Sequence, residues 1–210
     1  MKAALASIML SLVAAENMYS IQKSSVMNLN KMNFTKQVTN NRDKGISVVQ
    51  FYNADGKYTF DTKDNCLESP SKKSKGQFEK FSLEHQAMMR VGAVDCASQP
   101  DLCKKENIEG DLPRYRVYPP SPIPSQDYAP EGEIDTDKLK KMAYRYITNK
   151  AIDITSDNHD AWKSANVGTP KIILFTESKG KKPPVVYQAL SSHFDVSLPL
   201  FFNLNLFPCF

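Results

Sequence analysis

Four cysteines, Cys66, Cys96, Cys103 and Cys209, are the side chains of this 210-residue chain best suited to covalent chemistry. A thiolate attacks a disulfide, so two thiols placed together can accept or donate one. The usual spacing for that work, Cys-x-x-Cys, does not occur. Cys96 and Cys103 lie seven apart, which permits either a small bridged loop or two buried thiols. Cys66 opens the run Cys66-Leu67-Glu68-Ser69, and Cys209 sits in an uncharged C-terminal stretch. His85, His159 and His193 are scattered without ligand-like spacing, so neither a metal nor another cofactor is expected. Lys72-Lys73-Ser74-Lys75 and Lys179-Gly180-Lys181-Lys182 read as solvated faces.

Composition narrows the class. With 41% hydrophobic and 24% charged residues the chain is too apolar for a disordered polymer. A net charge of +4 without a dense basic stripe argues against nucleic acid as a partner. Four cysteines are too few for a disulfide-built miniprotein. The length allows one full domain and part of a second.

Residues 1–15, MKAALASIMLSLVAA, have the layout of a secretory signal peptide: Lys2, then an uncharged run from Ala3 to Ala15. Val13 and Ala15 suit a cut before Glu16, and the run is short of the ~20 residues of a membrane span. Asn33-Phe34-Thr35 is an N-glycosylation sequon, usable only in that lumen. The C-terminus is not a KDEL-type signal, so the expected location is the endoplasmic reticulum lumen or outside the cell.

The elements that must position the cysteines follow from periodicity. Strands are expected at Val26–Leu29, at Ile46–Tyr52, at Val91–Val94 and at Arg114–Tyr118, with a short edge strand at Gln126–Tyr128. Helices are expected at Met32–Asn40, Lys72–Met89, from a Ser98 cap to about Asn107, and from an Asp135 cap to Ile147. Gly76 weakens the start of the second of these, and Asn53–Ser71 reads as a long polar loop. The alternation argues an α/β domain with a sheet of mixed direction and helices on both faces. Beyond it, Ala161–Ala165 suits a helical turn, Lys171–Phe175 a buried strand, and Pro184–Phe194 a helix. Val196–Phe210 is an uncharged tail without a clear pattern.

Four features in order resemble a thioredoxin-like domain of the protein disulfide isomerase family. Val48-Val49-Gln50-Phe51-Tyr52 is similar to the strand leading into the active site, and Val91-Gly92-Ala93-Val94-Asp95-Cys96 to the next strand. The Cys96/Cys103 spacing is one that several members use, and Ile108 to Tyr115 is similar to the loop holding a cis-proline, here Leu112-Pro113. The resemblance covers about residues 25–150; Thr169–Phe175 and the helix after it look like the start of a second such domain. It implies a thioredoxin-like α/β fold, a mixed central sheet flanked by helices, followed by an incomplete second thioredoxin-like domain. The expected division is 1–15 signal peptide, 25–150 domain, 151–195 partial domain and 196–210 tail.

The same resemblance shows what is missing. An active member opens a helix with Cys-x-x-Cys, and a buried Glu two residues before the Tyr takes a proton from the second thiol. Here Gln50 holds the Glu position and cannot take that proton. Cys66 is the candidate catalytic thiol, with Ser69 in place of a resolving cysteine; the competing reading makes it an exposed loop thiol. Cys96 and Cys103 are expected to form a structural disulfide in an oxidising lumen, worth up to ~2–3 kcal/mol. Leu112 and Pro113 are expected to bind client polypeptide by strand-like pairing and apolar contact. The expected function is that of a folding factor for unfolded or nascent secretory polypeptides, resembling the isomerases but with a degenerate redox centre. The alternatives are thiol exchange through Cys66 alone, or a truncated product without clients.

Overall fold

A computed structural model describes residues 18–20, 22–54, 59–60, 66–67, 70–165, 167–168, 171–175, 182–193 and 200–202; for 59–60, 66–67, 70, 193 and 200–202 it gives the backbone alone. The signal-peptide segment, residues 55–58, 61–65 and 68–69 of the polar loop, Lys179-Gly180-Lys181 and Cys209 lie outside the described residues.

Strand β2 (Ser47–Tyr52) is the centre of the molecule, and all six of its residues are buried. On one side it pairs parallel with β5 (Arg90–Asp95), which pairs parallel with β1 (Met27–Leu29). On the other side it pairs antiparallel with β6 (Arg114–Tyr118), which pairs antiparallel with β7 (Gln126–Tyr128). The sheet order is β1-β5-β2-β6-β7, so direction is mixed as the alternation predicts.

Strand pleating sorts the side chains. Val48 and Tyr52 point to one face, where Phe78 and Phe81 of helix α2 (Pro70–His85) and Leu139 and Ala143 of helix α4 (Thr136–Tyr144) cover them. Val49 and Phe51 point to the other, against Phe34 of helix α1 (Phe34–Gln37) and Leu102 and Cys103 of helix α3 (Pro100–Lys105). Because both faces are covered, β2 shows no polar alternation. Gly92 lets β1 close on β5: a Cβ there would stand 2.5 Å from Leu29 Cδ1.

Helix α4 begins as expected, with the Asp135 carboxylate accepting from Lys138 N at 2.9 Å. It ends at Tyr144 rather than Ile147. The expected Met32–Asn40 helix is two short pieces, α1 and a 3₁₀ turn at Thr39–Asn41. The helix after β5 starts later than expected. Ser98 Oγ donates to Asp95 O, so Ser98 closes the preceding turn instead of capping α3, and Pro100 stands in the first turn.

The polar loop also needs correction. It contains a two-strand hairpin, β3 (Thr59–Phe60) and β4 (Cys66–Leu67), and α2 opens at Pro70, so Ser71 is helical. Gly76 falls inside this helix with open space around it. The solvated reading of Lys72-Lys73-Ser74-Lys75 fails at one residue: Ser74 is buried, because a helix turns every fourth residue back toward the sheet.

After α4 a smaller sheet forms, with order β8-β10-β9, all parallel: β8 (Ile152–Asp153), β9 (Ile172–Leu174) and β10 (Leu200–Phe202). Three residues of the apolar tail therefore pair between β8 and β9. Helices α5 (His159–Ser164) and α6 (Val185–His193) accompany it. The strand expected to be buried at Lys171–Phe175 is not: Ile172 is 44% and Phe175 53% exposed. Among the described residues no helix is long and apolar enough to cross a membrane.

Candidate functional site

In a sheet with parallel strands, the helices that follow strands start at the strands' C-terminal ends, and ligands bind there. β2 and β5 end side by side, and Cys96 N extends their ladder to Tyr52 O at 2.8 Å. The buried Asp95 carboxylate ties the two exits together by accepting from Ala54 N and Ala97 N, each at 3.1 Å. From this edge α2 and α3 lead away.

Two of the expected features meet here. Cys96 and Cys103 form a disulfide, S–S 2.04 Å with Cα atoms 5.7 Å apart, joining the end of β5 to α3. The Leu112–Pro113 peptide bond is cis. The β2–β6 register pairs Phe51 with Arg114, so Pro113 lies across from Tyr52 at the same edge. Gly110 bends the chain into this loop with φ +82°, a left-handed conformation that suits glycine. Pro113 is buried, while Leu112 is half-buried against the same apolar cluster as Cys96 and Ile108.

Asn33 stands apart from the cysteines at the start of α1. It is half-buried; its Nδ2 donates to Asn28 O at 3.0 Å and its Oδ1 accepts from Asn30 N at 2.8 Å. The nitrogen that would carry a glycan thus already closes a loop. Cys66 belongs to β4, where it pairs with Phe60, four residues before α2 opens. A thiol activated by a helix N-terminus would sit in the first turn. The Cys66 side chain and Ser69 lie outside the described residues.

Beneath the edge lies a closed polar knot that sequence reasoning did not anticipate beyond Gln50. Gln50 is fully buried. Its Oε1 accepts from Tyr19 OH, and its Nε2 donates to Ser74 Oγ at 3.0 Å and to Tyr115 OH at 3.1 Å. Ser74 Oγ donates onward to Ser71 O at 3.0 Å. Ser71 is itself buried, and its Oγ accepts from Asn53 N, the first residue after β2, at 3.4 Å. Burial pushes the Tyr115 and Tyr52 phenols up to about 12 and raises that of Tyr19 as well. Every partner around Gln50 therefore stays neutral at physiological pH, and the amide satisfies them as a neutral group.

The signal for Ser71 and Ser74 was present in the sequence. Ser71-Lys72-Lys73-Ser74 has the i, i+3 spacing of a dithiol motif but carries no thiol. Tyr19 had no local signal, since its contact with Gln50 spans 31 positions.

No family model matches the chain. A provisionally named protein disulfide-isomerase from Dictyostelium discoideum is 26% identical over 180 residues, covering 84% of this chain. The chain spans 40% of that relative's length. The crystal structure of ERdj5 form II superposes with a TM-score of 0.60 at 18% identity, over 86% of this chain and 22% of that one. The fold is thioredoxin-like, and the chain's resemblance is to the protein disulfide isomerases.

Proposed function

We propose that this chain is a folding factor of the secretory pathway that binds unfolded or cysteine-bearing polypeptides without oxidising them. One observation carries the reading. The strand-end site keeps the loop that would face a client, Leu112 and Pro113, while Gln50, hydrogen-bonded to neutral hydroxyls, fills the place of its proton acceptor. An extended client would pair its backbone along this loop and set an apolar side chain against Leu112.

In this reading residues 1–15 are a signal peptide directing the chain to the endoplasmic reticulum lumen or beyond, and 25–150 form the client-binding domain. Residues 151–195 are part of a second thioredoxin-like domain, and 196–210 its apolar tail. Asn33 carries a glycan only if it is added before the Asn28–Asn33 loop closes. The Cys96–Cys103 bridge is structural.

The test uses reduced, alkylated ribonuclease as a fluorescent client. Leu112→Asp is expected to weaken binding about tenfold, the worth of one buried leucine. The unsubstituted chain is expected not to accelerate oxidation of reduced ribonuclease by glutathione disulfide. Unchanged affinity in the variant, or catalytic reoxidation, would sink the proposal.

A further inference from the structure

We infer that Ser71 and Ser74 stand in the two thiol positions of a dithiol centre, so that the strand-end site is a disulfide-exchange site with hydroxyls in place of both sulfurs. The inference deepens the functional reading above and rests on it. It also removes Cys66 from the centre, as a residue of the hairpin ahead of it.

Three independent observations converge. The first is spacing. Ser71 and Ser74 are three apart, the second and fifth residues of the 16-residue helix α2, whose start is held to the exit of β2 by the Ser71–Asn53 contact. The second is direction. Ser71 and Ser74 are 3% and 4% exposed, whereas Lys72 and Lys73 between them are exposed. The pair therefore faces the sheet, one hydroxyl per turn, and the intervening lysines face solvent. The third is the partner of each hydroxyl. Ser74 Oγ touches Gln50 Nε2, the side chain standing where a carboxylate would take the resolving thiol's proton. Ser71 Oγ touches Asn53 N at the strand exit, nearer the edge where a client would lie. So Ser71 matches the attacking position and Ser74 the resolving one.

The chemistry explains the silence. Exchange starts with a thiolate, and a serine hydroxyl keeps its proton far above the pH at which a cysteine yields one. With no resolving proton to receive, a neutral Gln50 costs nothing. It satisfies Ser74 and Tyr115 as donor and Tyr19 as acceptor, where an unprotonated buried carboxylate would need charge compensation.

The experiment restores the sulfurs. S71C/S74C is made in a Cys66→Ala, Cys209→Ala background, which leaves the Cys96–Cys103 disulfide, and is treated with glutathione disulfide. The thiolate at position 71 attacks one glutathione sulfur; the S–S bond breaks, a mixed disulfide forms and one glutathione thiolate leaves. The thiol at position 74 then loses its proton and attacks the sulfur at position 71, forming the internal disulfide and expelling the second glutathione. Two electrons pass from the protein sulfurs to glutathione disulfide, and the two protons end on two molecules of glutathione.

The expected result is an alkylation-resistant internal disulfide, without glutathione adduct by mass spectrometry. It should form at least about tenfold faster than in K72C/K75C, a pair of equal spacing in the same helix with its first position exposed and its second half-buried. S71C alone should hold one glutathione, and S74C alone none. Free thiols in S71C/S74C, a rate no greater than in K72C/K75C, or an unreactive S71C overturns the assignment. Circular dichroism of each variant establishes that it folds, and the single variants decide the matter should the double variant fail to. Client binding is measured on the unsubstituted chain alongside. Binding with no disulfide in S71C/S74C overturns this inference alone; a disulfide without client binding overturns the functional reading alone.

Discussion

The two sheets of this molecule are built from similar strands and treat them differently. Val48 to Tyr52 and Ile172 to Leu174 both open on a pair of β-branched residues and are mostly apolar. In the five-stranded sheet Val48, Val49 and Phe51 are completely buried, since α2 and α4 cover one face and α1 and α3 the other. In the three-stranded sheet β9 is an edge strand, and Ile172, Phe175 and Val186 are 44%, 53% and 49% exposed. The only buried apolar cluster described there centres on Tyr187 with Ala151, Leu174 and Leu190 beside it. An apolar run thus sets the propensity for a strand, while the number of layers placed over it sets its burial.

The largest difference should appear in native-state hydrogen exchange. Amides of β2 and β5 should exchange only through global unfolding, and those of β9 and α6 through local opening about 10³-fold faster or more. Equal protection of the two sheets would break the comparison.

Alkaline titration separates them next. The Tyr52 and Tyr115 phenols belong to the first sheet and are raised from 10.0 to about 12 by burial. A raised folded pKa contributes stability that is complete below pH 10 and is lost as pH climbs toward 12, where the unfolded chain has already released the proton. Stability should fall by roughly 2–5 kcal/mol across that window, read by denaturant melts alongside phenolate absorbance. The five-stranded sheet should melt with the phenolate signal.

Within the first sheet, Gln50→Ala strands the Tyr19, Ser74 and Tyr115 hydroxyls in the core and should cost about 2–3 kcal/mol in urea denaturation. Ile172→Ala on the exposed edge should cost less than about 1 kcal/mol. Similar costs for the two would show that the edge strand is covered in solution. A further variant sharpens the site itself. Replacing Cys96 and Cys103 with serine releases a seven-residue closure and should lower stability by about 2 kcal/mol, leaving client affinity unchanged. A matching loss of affinity would make the bridge part of the binding surface.

Legibility followed the range of the interaction. β2, β5, β6, β7 and the Asp135 cap of α4 could be read because each rests on residues within a few positions. So could the Cys96–Cys103 pair and the Leu112–Pro113 loop. The β3–β4 hairpin, β8 and β10 were not anticipated. Each is two or three residues long, and the small parallel sheet exists only because Leu200–Phe202 returns between two strands far from it in sequence. The site divided along the same line. Gln50 stood out by its place in a strand, whereas its partners come from 31, 24 and 65 positions away.

By itself, then, the sequence determined the run of strands and helices in the first sheet, the absence of a Cys-x-x-Cys and the neutral residue at position 50. These follow from local periodicity and from counting residue types. Only the tertiary structure decided which serines face the sheet, that Cys66 lies on a hairpin strand, and how deeply each apolar run is buried. Those outcomes depend on which elements pack together. A helix face or a strand face carries no meaning until another layer covers it.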